Sequence, residues 1–350
     1  STGQSMTKIA RILCFCILLP TGVFGQEREF SSHGYIDLEF EYDTEEEVST
    51  FDSKHFNIVS TYTFDQFRVF SEIEWEHGTV LEDNPADSEG EVAVERAWLE
   101  YVRNDRLKLR AGKFITPFGI YNVIHNASPT FLTTSLPLIY QSHRPFGLGK
   151  DRLYGRFYTG LQLLGTIRTN SGIRFWYTVG LGNGRSGEQF SEDNDTSKSL
   201  LGQLRLEYKQ FNLGFSHYRD RNETGFSGLS EARERATAAD LTFRQGAFKI
   251  HGEYARFSME RATGSGFQVA DSYYGQISYR IKDTVTPVIR YDRFDPDRGS
   301  SDNRERQWLI GLNVSPHPQV YLKTEIHFNA FQESGEPSNR LFLSSVSVAF

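Results

Sequence analysis

The chain has 350 residues, of which 14% are aromatic and 24% charged, and its formal net charge is -7. The 28 Phe and 17 Tyr argue against intrinsic disorder, which is poor in aromatic residues. The negative charge argues against a nucleic-acid partner, because no basic stripe is available to neutralise phosphates. A hydrophobic content of 38% is low for a large core and fits a sheet with one apolar and one wet face.

Residues 1–25 combine a few upstream residues with the pattern of a secretory signal peptide. Met6 is the expected start, after which Lys8 and Arg11 form a basic segment and residues 12–19 form an apolar run. This order is typical of a signal peptide, and the run is shorter than the ~20 apolar residues of a membrane-spanning helix. Both cysteines lie in this segment, so we expect no disulfide or thiolate chemistry in the mature chain.

From residue 26 onward, apolar and polar residues alternate with a period of two, which indicates strands with one apolar face. The segment 320–330, for example, alternates between apolar residues such as Leu322 and charged residues such as Lys323. We count about 16 such segments of roughly 10 to 13 residues each, the length of tilted strands that cross a membrane.

The connections between these segments alternate between short and long. Residues 65–66 and 104–105 are short turns, whereas residues 78–91 and 183–197 are long and polar. Short turns on one rim and long loops on the other are typical of outer-membrane barrels. The sequence therefore predicts an all-β fold, in which residues 26–350 form one transmembrane antiparallel β-barrel of about 16 strands.

The last predicted strand, residues 340–350, also alternates, and it places Phe350 on the outer, lipid-facing side. Ending on an outward aromatic residue resembles the C-terminal signal of bacterial outer-membrane proteins. That resemblance implies recognition of Phe350 by the barrel-assembly machinery.

A barrel of this size encloses a water-filled lumen, and the predicted inward positions are charged or polar. Acidic and basic residues are about equally numerous there, so the total charge of the wall does not predict whether anions or cations are preferred. The first and third strands are acidic and the fifth is basic, and we expect these opposed charges to create a field across the pore. For any single residue, simply keeping the lumen wet is an equally good explanation. The predicted pore-wall residues are Lys108, Arg68, Arg96, Arg174, Glu39, Glu72 and Glu74.

The longest connection, residues 115–154, is the third long loop, and it is apolar where the other long loops are acidic. Exposed to water it would form a hydrophobic patch, so we expect it to fold inward and narrow the channel. Its charged residues are mostly basic, which would bias the constriction towards anions. The predicted constriction residues, including two at the root of the loop, are Arg110, Lys113, His125, His143, Arg144, Lys150 and Arg152.

The segment "RAGKFITPFGIYN", residues 110–122, resembles the Gly-Lys/Arg-Phe-x-x-Pro-Phe-Gly motif of the phosphate-selective porin O and P family. The matching residues are Gly112, Lys113, Phe114, Pro117, Phe118 and Gly119. The resemblance implies a homotrimeric channel of 16 strands in the outer membrane of a Gram-negative bacterium. It also implies that the third long loop folds into the lumen.

These observations favour a porin that lets small hydrophilic solutes diffuse passively, with a weak preference for anions such as phosphate. Its expected surroundings are outer-membrane lipid and lipopolysaccharide, and we expect no cofactor. One alternative is a structural or adhesion barrel whose acidic loops bind a partner. Another is an outer-membrane enzyme, but His217, His251 and His327 are scattered and none lies beside a candidate nucleophile. No His, Asp and Glu residues show the spacing of metal ligands along the chain, so the sequence predicts no metal site.

Overall fold

The computed structural model describes residues 28–45, 47–76, 91–124, 128–141, 154–184, 196–222, 232–260, 266–300, 303–332 and 338–350. The strands in these ranges are β1 (Arg28–Asp43), β2 (Val48–Phe64), β3 (Phe67–Glu76), β4 (Glu91–Asn104), β5 (Leu107–Ile115), β6 (Phe157–Arg168), β7 (Arg174–Gly182), β8 (Ser199–Tyr208), β9 (Phe211–Asn222), β10 (Ala232–Gln245), β11 (Phe248–Glu260), β12 (Phe267–Tyr279), β13 (Val285–Asp295), β14 (Glu305–His317), β15 (Val320–Phe331) and β16 (Arg340–Ala349). Each pairs antiparallel with its neighbours in sequence, and β1 pairs with β16, so that the sheet closes into one barrel. The predicted fold is confirmed.

The alternation of short and long connections is confirmed with one exception: the connection of β1 to β2, expected to be long, has only the four residues 44–47. Two-residue turns at 65–66 and 209–210 join β2 to β3 and β8 to β9. Asp65 and Lys209 have φ angles of 51° and 53°, the left-handed conformation that tight hairpin turns require. Strand lengths range from 9 to 17 residues, more widely than predicted, because the hairpin of β1 and β2 extends beyond the end of β3.

The barrel is apolar outside and polar inside. Leu161, Phe215 and Ile310 are more than half exposed on the outer face, whereas Glu100 and Asp292 on the inner face are fully buried. Because the closed sheet pairs its backbone groups between strands, such a surface is suited to lipid. Among the described residues, no helix is long and apolar enough to cross a membrane.

The seam between the first and last strands is closed by Phe350. Its backbone N–H donates to Gly34 O at 2.9 Å, and its own carbonyl oxygen accepts from Gly34 N–H at 2.8 Å. The Phe350 ring lies over Gly34, where a Cβ atom would come within 2.6 Å of it. The ring also stacks on Phe56 with a centroid distance of 6.1 Å. Phe350 therefore faces outward, at the position predicted for it; its role in assembly remains a prediction.

Candidate pore constriction

The segment after β5 enters the lumen instead of continuing along the rim. Its described residues, 116–124 and 128–141, form three short 3₁₀ turns at Asn122–Ile124, Ser128–Thr130 and Leu138–Tyr140. We call residues 116–141 the inner loop. It contacts inward-facing side chains of strands from β8 to β16, and most of its side chains are buried. The inner loop therefore lies on one side of the lumen, and among the described residues a cavity lined by strands β4 to β9 remains on the other side.

The Pro-Phe-Gly motif is the point at which the chain turns into the lumen. Phe118 is fully buried and packs its ring against Tyr154, with a centroid distance of 4.4 Å, and against Phe257 on the far wall. Phe114 packs on Tyr158 with a centroid distance of 5.4 Å. Pro117 lies at the edge of the open side of the lumen. The motif thus combines an apolar anchor with a sharp change of direction.

Both motif glycines are required by their surroundings. Gly112 has a φ of 142°, and a Cβ atom there would meet the Ala97 carbonyl oxygen of the neighbouring strand. Gly119 has a φ of 62°, and a Cβ atom there would collide with the Tyr140 hydroxyl and the Glu253 carboxylate. Other residues rarely adopt such φ angles, so glycine allows the backbone to approach these groups closely.

Gly119 is also tied to the barrel wall through its backbone. Its N–H donates to Ser216 Oγ at 3.0 Å, and its carbonyl oxygen accepts from Gln203 Nε2 at 2.9 Å. Arg205 donates to the same oxygen at 3.3 Å and forms an ion pair with Asp240 at 2.7 Å. Strands β8 and β9 therefore hold the start of the inner loop by hydrogen bonds to both backbone groups of Gly119.

The centre of the inner loop is held by two tyrosines. Tyr140 Oη donates to Glu253 Oε2 at 2.5 Å and accepts from the Ile120 N–H at 2.8 Å. Tyr121 Oη shares a hydrogen bond of 2.8 Å with His251 Nε2. Burial raises the pKa of both tyrosines well above the ordinary value, so both hydroxyls stay protonated and keep these bonds.

Residues 133–136 are held by a buried arginine. Arg290 forms an ion pair with Asp292 at 2.7 Å, and its terminal amino groups donate to the carbonyl oxygens of Ser135 and Leu136 at 2.9 and 3.1 Å. It is fully buried beneath the loop. A guanidinium carries five donors in a planar fork, which suits it to bind several carbonyl groups at once.

Strand β15 contributes a second charged contact to the inner loop. Glu325 accepts the backbone N–H groups of Thr134 and Ser135 at 3.0 and 2.8 Å, and Lys323 Nζ donates to Ser128 O at 2.5 Å. Glu325 also pairs with His327 at 3.0 Å. Charge-assisted bonds of this kind are stronger than neutral ones. The buried charges Arg290, Lys323 and Glu325 therefore position the loop.

The open side of the lumen is a cavity of about 430 Å³. Pro117 and Val123 border it on the loop side, and Arg96, Arg110 and Arg205 reach it from the wall. The cavity also has Trp98, Trp176, Gln162, Gln203, Thr178, Asn212 and Glu207 in its lining. The space left for a solute is therefore both polar and aromatic, with several cationic groups.

The predicted pore-wall residues lie on the inward face of their strands, and five of the seven form an ion pair, although only Arg96 and Glu72 pair within the set. Arg96 Nε bonds Glu72 Oε2, and Glu100 accepts from both Arg110 Nε and Arg68 NH1. The remaining contacts of the predicted set are Lys54 with Glu39 at 3.1 Å, Arg174 with Glu207 at 3.7 Å, and Tyr35 and Asn57 with Glu74 at 3.1 and 2.8 Å. Lys108 lies on the inward face of β5, two residues before Arg110.

The sequence predicted an electric field across the pore, from acidic strands on one side to a basic strand on the other. This prediction is wrong. The acidic strands β1 and β3 and the basic strand β5 lie on the same part of the wall, with only one strand between β3 and β5. Arg96 and Glu100 on that intervening strand, β4, neutralise their neighbours directly. Charges on neighbouring strands attract at short range, so they cancel before they can act across the pore.

Sequence reasoning missed the aromatic residues of the lumen. Phe70 and Trp98 stack with a centroid distance of 4.7 Å and an interplanar angle of 4°. Arg96 lies over the Phe70 ring at 4.9 Å, and Arg110 lies over the Trp98 ring at 4.2 Å. Cation–π contacts of this kind orient guanidinium groups. The sequence could have predicted these rings, because Phe70 and Trp98 alternate in step with Arg68 and Arg96, which were expected to face inward.

The predicted constriction residues lie in different places. Arg110 lies on the cavity wall as expected. Lys113 does not: strand pairing places it beside Thr159 and Ala97, on the same face as the exposed Leu109. It faces outward, where its Nζ donates to Val94 O at 2.7 Å. His125, His143, Arg144, Lys150 and Arg152 lie outside the described residues.

Comparisons with known proteins address the fold more than the family. No protein-family model matches the chain. A protein of Aquifex aeolicus (strain VF5), described as an uncharacterized protein, is 32% identical over 125 residues. That alignment covers 35% of this chain and 28% of the other protein, so it spans less than a third of the relative's length.

Solved structures match over almost the whole chain. OmpF of Salmonella typhi, in complex with daunomycin, has a TM-score of 0.64 at 12% identity, over 94% of this chain and 99% of that chain. OmpT of Vibrio cholerae has a TM-score of 0.63 at 12% identity, with the same coverage of 94% and 99%. The outer membrane channel DcaP of Acinetobacter baumannii has a TM-score of 0.62 at 10% identity, over 92% and 97%. At such identities the likeness concerns the fold, which is that of outer-membrane porins and channels.

Proposed function

We propose that this protein is an outer-membrane porin through which small hydrophilic solutes diffuse passively, with a weak preference for anions such as phosphate. The observation that carries the proposal is the cavity between Pro117 and the wall, which Arg96, Arg110 and Arg205 reach. Arg96 and Arg110 bind their carboxylate partners through Nε, so their terminal amino groups remain for an anion. Glu207 borders the same cavity, which makes the expected preference weak.

The finer assignments belong to the same proposal. Residues 1–25 are a signal peptide with a short upstream segment, and residues 115–154 are the constriction loop of the barrel formed by 26–350. The mature protein lies in the outer membrane of a Gram-negative bacterium, in contact with lipid and lipopolysaccharide, after insertion by the barrel-assembly machinery. A homotrimer is supported by the motif around Gly112 and Gly119 and by one similar structure, OmpT, described in a trimer form.

We propose no enzymatic activity, because the three histidines considered from the sequence have structural roles. His251 and His327 are buried and bond Tyr121 and Glu325, which are part of the network around the inner loop. His217 bonds Thr237 at 3.0 Å on β10. His327 Nε2 also lies 3.3 Å from Ser135 Oγ, but the same nitrogen meets Glu325 Oε1 at 3.0 Å and Ser135 Oγ accepts from Arg290 at 3.1 Å, so this contact belongs to the network that holds the loop.

The experiment that tests the proposal is the single-channel current of the purified protein in a planar bilayer, measured under a salt gradient. We expect stable ohmic steps and a reversal potential that favours anions. The variant Arg110→Gln should shift the reversal potential towards cations, because it removes a cavity charge. Arg293→Gln is the matched control, since Arg293 contacts Tyr273 on the outer face and should leave the potential unchanged.

The outcomes separate the alternatives. A cation preference would keep the porin but reject the anion preference, because the acidic wall would then dominate. A correctly folded barrel that passes no current would overturn the porin assignment and favour a closed structural or adhesion barrel.

A further inference from the structure

Three inward-facing side chains on β2 and β3 come together where β3 ends. His55 lies directly opposite Glu76 in the pairing of these strands, and Glu74 is two residues before Glu76 on the same face. A ring nitrogen of His55 and one carboxylate oxygen from each glutamate all lie within 4.8 Å of one another. His55 and Glu74 are buried, whereas Glu76 is only partly buried.

The imidazole of His55 is oriented by a carboxylate on the next strand. His55 Nδ1 lies 3.0 and 3.1 Å from the two oxygens of Asp37, which also accepts the His55 backbone N–H at 2.8 Å. With Nδ1 bound to Asp37, Nε2 is the ring nitrogen left for a ligand. A histidine that ligates a metal almost always donates its other ring N–H to a carboxylate or carbonyl group, as the geometry here permits.

Glu74 is held in place in a comparable way. Its Oε2 accepts from the Tyr35 hydroxyl at 3.1 Å and from Asn57 Nδ2 at 2.8 Å. Asn57 also donates to the buried Glu72 at 2.9 Å. The candidate ligands are therefore carried by rigid strands and supported by a surrounding shell of polar side chains, as a built metal site requires.

We propose that His55, Glu74 and Glu76 form a binding site for one divalent transition-metal ion of the Zn²⁺ class. Imidazole nitrogen and carboxylate oxygen are both common zinc ligands, and three protein ligands leave a position for water. Calcium and magnesium prefer all-oxygen sites, so an imidazole ligand argues against them. A cation would also offset the cost of burying carboxylates such as Glu74 and Asp37 in the wall.

The sequence gives little sign of this site because its ligands come from two strands. His55 is 19 residues from Glu74 and 21 from Glu76 in the numbering of the chain, and only the strand register brings them together. The expectation of no metal site rested on spacing along the chain. Cross-strand neighbours are invisible to that criterion, because the pairing of two strands depends on the turn between them.

The test is the binding of Zn²⁺ to untagged, refolded and chelator-treated protein in detergent, measured by calorimetry in the presence of excess Mg²⁺. We expect one saturable site per chain. His55→Ala and Glu76→Gln should each weaken binding by at least about tenfold, and Asp37→Asn should weaken it while leaving all three ligands in place. His217→Ala is the control, since His217 lies on the opposite part of the barrel and bonds Thr237.

Two readouts keep the proposal open to rejection. Heat-modifiable gel mobility shows which variants fold. If His55→Ala does not fold, Glu76→Gln replaces it as the test, because Glu76 is partly exposed and its substitution disturbs the fold less. Co²⁺ added in place of Zn²⁺ should give visible absorption that is lost in the ligand variants and retained in His217→Ala. The proposal is overturned if wild-type protein has no saturable site, or if folded His55→Ala or Glu76→Gln binds Zn²⁺ as tightly as wild type.

Discussion

Tyr140 on the inner loop donates a hydrogen bond of 2.5 Å to Glu253 on the far wall, although 113 positions separate them in the chain. Both side chains are buried, and the Tyr140 hydroxyl also meets the backbone N–H of Ile120. One phenol therefore joins two parts of the loop to the barrel. Such contacts hold the loop against the wall, beside the cavity that Pro117 and Val123 border.

The variant Tyr140→Phe should loosen the loop without changing its shape. Glu253 would keep the Ile120 N–H at 3.3 Å but lose the phenol donor in a buried site, at a cost of about 1 to 3 kcal/mol in the free energy of unfolding. We expect lower stability in urea and noisier open-channel current. Tyr321→Phe is the control, because the Tyr321 hydroxyl bonds Pro318 O at an exposed turn. Equal behaviour of the two variants would show that the Glu253 contact does not hold the loop.

The variant Arg290→Met should be the most damaging single change to the inner loop. It leaves Asp292 buried without its ion-pair partner and releases the carbonyl groups of Ser135 and Leu136. Breaking one side of a buried pair costs about 3 to 5 kcal/mol. Urea unfolding measures this, with Arg293→Met on the outer face as control. The double variant Arg290→Met with Asp292→Asn should recover part of the loss, and no recovery would reject the charge explanation.

Replacement of Gly119 tests whether the motif turn needs glycine. Gly119→Ala would force a side chain into the left-handed region and against Tyr140 and Glu253. We expect a loss of at least about 1 kcal/mol and a changed conductance, as the loop moves away from the wall. Gly275→Ala is the matched control, because a Cβ atom there meets nothing within 4 Å. A native-like Gly119→Ala channel would contradict the close approach described for this turn.

Deletion of residues 132–144 should raise single-channel conductance. The deleted segment includes the part of the loop that Arg290 and Glu325 hold inside the lumen, so its removal widens the channel. Deletion of residues 223–231, in the connection between β9 and β10, serves as the control and should change conductance less. Unchanged conductance in a folded 132–144 deletion would show that this segment does not limit the pore.

Phe350→Ala should slow the insertion of the barrel into membranes. The Phe350 ring covers Gly34 and stacks on Phe56, so its loss opens the seam where β1 meets β16. Insertion into lipid vesicles, followed by heat-modifiable mobility, measures the rate. Phe211→Ala removes another exposed outer aromatic ring, next to a short turn, and should be affected less. Equal rates for the two variants would argue against a special role for the seam.

The architecture could be predicted because every strand of a barrel obeys the same simple rule. Lipid outside and water inside impose a period of two, which showed in segments such as the one around Leu322 and Lys323. The closed sheet of sixteen strands, the alternation of turns and loops, and the outward position of Phe350 all follow from that pattern. The motif around Gly119 similarly marked the place where the chain turns inward.

The same rule did not predict what each charge contacts. Glu72 and Arg96 pair because a one-residue irregularity shifts the register between β3 and β4. Lys113 was placed in the constriction by its basic charge and its place at the loop, but strand pairing turns it to the outer face. The phase of a strand tells which face a residue takes, and only the register tells which neighbour it meets.

The sequence by itself determined a membrane barrel with a long apolar loop, because burial in lipid and exposure to water leave a local, repeating pattern. Only the tertiary structure decided that Arg290, Glu253 and Glu325 hold that loop, and that Arg96 and Arg110 line the cavity beside it. It also decided that His55 meets Glu74 and Glu76. Such contacts join residues far apart in the chain, and their energies depend on distances that only the closed barrel sets.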